Sequence, residues 1–200
     1  MTDRIHDETL PDAVLYLTPG LAVGSDECCT TLSTRREPAA TNALWIVYTG
    51  SPTGRLSSWI ERTGEKPVRS AAITVGEGTR PPSSAGPSFD TVERINAPAD
   101  LTGVGISVSE LLSSWDDAGE TMVCFDSITA LLQYVDVETA YEFVHVLLGR
   151  LEALDAHSHF HLDPDAHDEL VVEQLKTLFD AVVTYDGEGV SVRTAADPRE

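Results

Sequence analysis

The chain has 200 residues, enough for one domain with a sizeable core, and 42% of them are hydrophobic, as in ordinary globular proteins. Its 33 acidic residues against 13 basic ones give a net charge of −20, which argues against the basic patches that non-specific nucleic-acid binding needs. No run is long and apolar enough to span a bilayer, and the polar start Met1–Glu8 has neither the basic head nor the apolar centre of a signal peptide, so a cytoplasmic, non-membrane protein is expected.

Residues 1–12 are polar, end at Pro11, and read as a loose arm. Ala13–Thr18 is an apolar run and the first expected strand. A loop containing Gly20 and Gly24 follows, and Ser25-Asp26-Glu27 opens a helix to about Thr34, with acids in its first turn as the helix dipole favours. Ala43–Tyr48 is the second strand. Ser51 and Pro52 suit the cap and first position of a helix that carries Leu56, Trp59 and Ile60 and stops near Gly64. Val68–Val75 is the third strand.

Residues 76–87, rich in Gly, Pro and Ser, read as a mobile surface loop inside the domain. Ser88–Asn96 holds a short extra strand, and Ala97–Gly105 reads as a turn-rich connector. Ser107-Val108-Ser109-Glu110 has capping-box spacing and is expected to open a helix through Leu111, Leu112 and Trp115.

Thr121–Asp126 is the central strand. Its apolar residues do not alternate with polar ones, the pattern of a strand buried on both faces of a parallel sheet. Ser127 caps a short helix to Tyr134. Asp136 caps a longer one to about Leu154, with Ala140, Phe143, Val144, Val146, Leu147, Leu148, Leu151 and Leu154 as its buried stripe. Ser158–Leu162 is the next strand. Asp163-Pro164-Asp165 starts a helix with Leu170, Val171, Leu175, Leu178 and Phe179 inward. Ala181–Tyr185 and Val190–Val192 form a closing hairpin, and 195–200 is a polar tail. This alternation predicts one α/β domain over 1–200: a mostly parallel sheet with helices on both faces and the hairpin at one edge.

Asp126 closes the central strand at its carboxyl end, where open α/β sheets place ligands. The segment MVCFDSITALLQY, Met122 to Tyr134, resembles the Walker B strand and following helix of the RecA-like fold, nearest to its KaiC-like branch. The likeness runs over roughly residues 10–195. It is most similar to a KaiC-like family of halophilic archaea whose members look like a KaiC core without its motor parts. The low lysine content, Lys66 and Lys176 alone, fits that origin: at molar salt the Debye length falls to about 3 Å, so dense surface acids barely repel.

The resemblance implies an ATP and Mg²⁺ site, and the residues depart from it. A phosphate loop reads G-x-x-x-x-G-K-[ST]. With Gly24 as the second glycine, Pro19 stands at the first, Ser25 at the lysine and Asp26 at the hydroxyl. The acid pair that KaiC-like ATPases carry after the second strand is replaced by Thr49-Gly50. The expectation is therefore a non-catalytic interaction or regulatory module without a cofactor, assembling with itself or with a RecA/KaiC-like relative. The alternative is a nucleotide binder with little or no hydrolysis that uses Gly20, Gly24, Ser25, Asp26, Asp126 and Ser127. A simpler role for Asp126 is to start the next helix together with Ser127.

A third reading is metal binding. His157, His159 and His161 alternate on a strand and share a face, with His167 among Asp163, Asp165 and Asp168. Histidines at i and i+2 sit about 7 Å apart, awkward for three ligands on one ion. The plain alternative is histidines at a strand end, facing solvent or bonded to helices. Cys28 and Cys29 diverge by about 100° on a helix and make neither a disulfide nor a metal pair. Cys124 reads as a small buried residue. Arg35-Arg36 reads as a solvated helix end, and Trp45, Trp59 and Trp115 as core. No serine lies in a G-x-S-x-G elbow, which argues against acyl transfer.

Overall fold

Met122, Val123, Cys124 and Phe125 are wholly buried, which explains why their segment shows no polar alternation. In the computed structural model, which describes residues 10–20, 24–77, 79, 86–115 and 119–194, they form the middle of an eight-stranded sheet. The strands are β1 (Ala13–Leu17), β2 (Thr41–Val47), β3 (Arg69–Val75), β4 (Thr91–Ile95), β5 (Glu120–Asp126), β6 (Ala156–Leu162), β7 (Ala181–Tyr185) and β8 (Val190–Thr194). Their order is β4-β3-β2-β5-β6-β1-β7-β8. All pairings are parallel except β7 with β8, the edge hairpin.

The helices are α1 (Ser25–Ser33), α2 (Thr53–Thr63), α3 (Leu101–Ser113), α4 (Ile128–Leu131), α5 (Val137–Glu152) and α6 (Glu169–Lys176). Helices α1 and α2 cover one face, where Cys29, Leu32, Leu56 and Trp59 meet Val14, Tyr16, Trp45, Met122 and Cys124. The other four cover the opposite face over Leu15, Leu44, Ile46, Val123, Phe125 and Phe160. This is the expected RecA-like α/β architecture. Trp45 and Trp59 are 1% exposed and meet edge to face at 6.0 Å, so both are core, as is Trp115.

Several local expectations change. The helix expected from Ser107 begins at Leu101. Asp100 Oδ1 accepts from the Gly103 amide at 2.8 Å and is the true cap; Val104, Val108, Leu111 and Leu112 continue one buried stripe. Ser109 instead donates to the Gly105 carbonyl at 2.7 Å, inside the helix. The two glycines that suggested a connector differ in kind. A Cβ on Gly103 would lie 2.5 Å from Asp100 Oδ2, whereas one on Gly105 would meet nothing within 4 Å. Gly105→Ala is therefore expected to raise stability by up to about 1 kcal/mol, and Gly103→Ala to lower it, read as denaturation midpoints.

The stripe on α5 is narrower than expected: Val146 is 69% and Leu154 40% exposed. Leu170 is also exposed, because Pro164–Ala166 forms a separate 3-10 turn and His167 is extended, which resets the rotation of α6. Arg35 is buried, not solvated: its Nη2 donates to the Asp12 carbonyl at 3.2 Å, and Arg36 pairs with the Asp12 carboxylate. Of the expected arm, residues 1–9 lie outside the described residues, while Leu10 is buried and the Asp12 carbonyl accepts from the Ser158 amide. Most of the 76–87 loop and the 195–200 tail also lie outside them. Among the described residues no helix is long and apolar enough to cross a membrane.

Candidate functional site

Parallel strands point their carboxyl ends the same way, so the turns after β2 and β5 share one edge. There Asp126 and the start of α2 come together, joined from the next layer by the first turn of α1. A small pocket of about 240 Å³ lies among Asp26, Thr49, Gly50, Ser51, Gly54, Arg55, Ser58 and Asp126. That is below the roughly 300–1,000 Å³ usual for small-molecule sites.

Arg55 occupies the centre of this edge. Its Nη2 donates to Asp126 Oδ2 at 2.8 Å and its Nη1 to Asp26 Oδ1 at 2.7 Å. The guanidinium thus bridges Asp126 and Asp26, the two residues that the resemblance sets at the Walker B acid and the phosphate-loop hydroxyl. Arg55 is 19% and Asp126 21% exposed, whereas Asp26 is 80% exposed, so the Asp126 arm is the stronger one. Burial works against the charge on Arg55, but Cys29 and Asp126 outweigh it and hold the guanidinium ionised.

The other expected site residues are also engaged within the protein. The Gly20 amide donates to Asp163 Oδ2 at 2.9 Å, so a carboxylate takes the place that phosphate oxygens would need. Gly24 has φ 92° and precedes α1; Ser25 offers its carbonyl to the Tyr16 hydroxyl at 3.1 Å. Ser127 Oγ accepts from the Ala130 amide at 3.1 Å and caps α4 as expected, without Asp126, which turns to Arg55. Among the residues lining the pocket the acids are Asp26 and Asp126, both bound to Arg55, and the turn after β2 holds no acid.

Sequence reasoning missed Arg55. The available signal was its place in the first turn of the helix after β2, the turn that faces the carboxyl end of β5.

The histidines share a face, as expected, but it is the sheet interior under α1, not a solvated end: His157 and His159 are 1% and His161 6% exposed. His157 does not converge with the other two. His159 and His161 converge with Cys29 from α1 and Cys124 from β5, and one ligand atom from each lies within 4.8 Å of every other. Cys29 Sγ is 3.3 Å from His159 Nε2, and Cys124 Sγ 3.6 Å from His161 Nε2. The hydrogen bond from Cys124 holds the Cys29 thiol well below its usual range, while burial pushes the Cys124 thiol up. Cys28 stays apart, its thiol pushed up to about 12 by burial. His157 lies beyond the group, its basicity lowered by burial and then by Arg35 and Arg36. His167 pairs with Thr129 at 3.2 Å, away from the cluster.

Residues 12–185 match the model of a family of unknown function, DUF7504. The chain belongs to that family. Among solved structures it is similar to PH0250 from Pyrococcus horikoshii OT3, with TM-score 0.61 and 9% identity over 93% of this chain and 87% of that one. It is also similar to the flagellar accessory protein FlaH from Methanocaldococcus jannaschii, with TM-score 0.52 and 12% identity over 95% of this chain and 80% of that one. At such identities the likeness concerns the fold, and it agrees with a mostly parallel sheet flanked by helices. Nothing among curated protein sequences matches the chain.

Proposed function

We propose that this protein is a non-catalytic RecA-like module, a pseudo-ATPase from a halophile that works by interaction or regulation. The observation that carries the reading is the Arg55 bridge between Asp26 and Asp126. In a working site Asp126 would hold Mg²⁺, directly or through water, and the loop would cradle phosphate. Here a fixed cation already neutralises Asp126, the Gly20 amide is taken by Asp163, and no lysine precedes Lys66. Mg²⁺ would have to displace a guanidinium held by two carboxylates, and phosphate would approach Asp26 and Asp163.

The interaction half of the reading rests on the other face. Ile106 is 53% and Val146 69% exposed along an apolar groove of about 730 Å³ between α3 and α5. Exposed apolar side chains grouped in this way are typical of surfaces that a partner covers. The proposed partner is a second copy of this chain or a RecA/KaiC-like relative, in the cytoplasm. Equilibrium dialysis with labelled ATP and Mg²⁺ in molar KCl is expected to retain no nucleotide, with no phosphate release above buffer. Light scattering in the same solution is expected to give a mass above the 21.6 kDa monomer when the partner is a second copy. Retained ATP would favour the nucleotide-binding alternative.

A further inference from the structure

We infer that Cys29, Cys124, His159 and His161 form a closed structural site for one tetrahedral divalent ion of the zinc class. The four residues come from three elements. Cys29 hangs from α1, Cys124 sits in the middle of β5, and His159 and His161 are two residues apart on β6. The register places Cys124 directly beside His159 across the β5–β6 pair. The cluster is therefore built by the sheet itself, with α1 supplying the fourth ligand from above.

The distances suit the ion. With Zn–S near 2.3 Å and Zn–N near 2.0–2.1 Å, sulfur and nitrogen on a tetrahedral site stand about 3.6 Å apart. The two sulfur–nitrogen separations here are 3.3 and 3.6 Å. The spacing that makes three histidines on one strand awkward is no obstacle for two. The rings of His159 and His161 lean together, centroids 5.4 Å apart and planes at 46°. Tyr16 packs edge-on against His161 at 5.0 Å, and its hydroxyl is tied to the Ser25 carbonyl, which fixes that ring from the far side.

The chemistry of the site also favours an ion over an ordinary core. Two thiols and two imidazoles at 0–6% exposure are costly to bury on weak S–H···N bonds alone, and aliphatic side chains would pack the same space at lower cost. Two thiolates and two neutral imidazoles around a doubly charged ion sum to zero, so the nearby Arg55 guanidinium meets no net positive charge. All four positions are protein ligands and the site is closed to water, the pattern of structural, not catalytic, zinc. Binding would then tie α1 to the centre of the sheet and couple metal to folding.

The test starts from chain unfolded in denaturant with chelator and reductant, then refolded in molar KCl with Zn²⁺, with Co²⁺, or with neither. The expected result is one ion per chain, a melting temperature raised by several degrees, and for Co²⁺ the intense visible bands of a tetrahedral two-thiolate site. Cys124→Ser and His161→Gln should lose the ion, while His157→Gln and Cys28→Ser should keep it at full stoichiometry. Should a ligand variant fail to fold, the wild-type Co²⁺ spectrum decides alone: a weak octahedral spectrum overturns the site. So does refolded protein without bound ion, an ion that survives loss of both Cys124 and His161, or a disulfide between Cys29 and Cys124 in native protein.

Discussion

Replacing Arg55 with alanine is expected to lower stability by about 1–3 kcal/mol, between the values for exposed and for buried ion pairs. The position of Arg55 sets that range. Its side chain is 19% exposed and its stronger partner, Asp126, is 21% exposed, so removal leaves a mostly buried carboxylate without its cation. Asp26 is 80% exposed, and Asp26→Asn should cost less than about 0.5 kcal/mol. The pair can be isolated by a double-mutant cycle. Asp126→Asn added to Arg55→Ala should recover part of the loss, because an amide is far cheaper to leave unpaired there than a carboxylate. Denaturant midpoints in molar KCl check this. Equal, additive losses would mean that the bridge holds nothing together.

Gly119→Ala is expected to cost more than about 3 kcal/mol, the range reserved for named structural faults. Gly119 has φ +84° immediately before β5, and a Cβ there would lie 1.8 Å from the Ala40 carbonyl oxygen. Ala40 ends the 3-10 turn that leads into β2, and β2 pairs with β5 from Thr41↔Glu120 to Val47↔Asp126. The clash is backbone against Cβ, so no side chain can swing away, and relief must open the central strand pair. Gly187→Ala is the control. It has φ +95° with nothing within 4 Å, so it carries the left-handed penalty alone, about 1–2 kcal/mol. Similar losses at both positions would show that the β2–β5 entry yields more easily than its geometry suggests.

The fold was legible in the sequence where burial erased alternation. β5 and β2 read correctly because a strand covered on both faces needs no polar side, and the starts of α4 and α5 read correctly because Ser127 and Asp136 cap them beside their apolar residues. The start of α3 was illegible because Gly103 and Gly105 look like loop residues, although Gly103 is there to admit the Asp100 cap. Leu170 and Val146 misled because helical periodicity shows a stripe without showing how wide a surface awaits it.

The candidate site was half legible. Pro19, Ser25 and Asp26 stand where the resemblance puts a glycine, a lysine and a hydroxyl residue, and that departure could be read from the sequence alone. Arg55 was not foreseen, because an ion pair between residues 55 and 126 depends on which turns meet at the sheet edge. The cysteine–histidine cluster escaped for a related reason. Cys29, Cys124 and the histidines each have an ordinary explanation singly, and only the β5–β6 register and the seating of α1 bring them within reach of one another.

If Arg55 closes the sheet edge between Asp26 and Asp126, the protein excludes nucleotide. The direct measurement is the melting temperature of the wild-type protein in molar KCl, with and without ATP and Mg²⁺ at high concentration. Occupancy at one hundred times the dissociation constant would stabilise the native state by about 2.7 kcal/mol. The Arg55 bridge predicts coincident melting curves. A reproducible rise of several degrees with ATP and Mg²⁺ would contradict it.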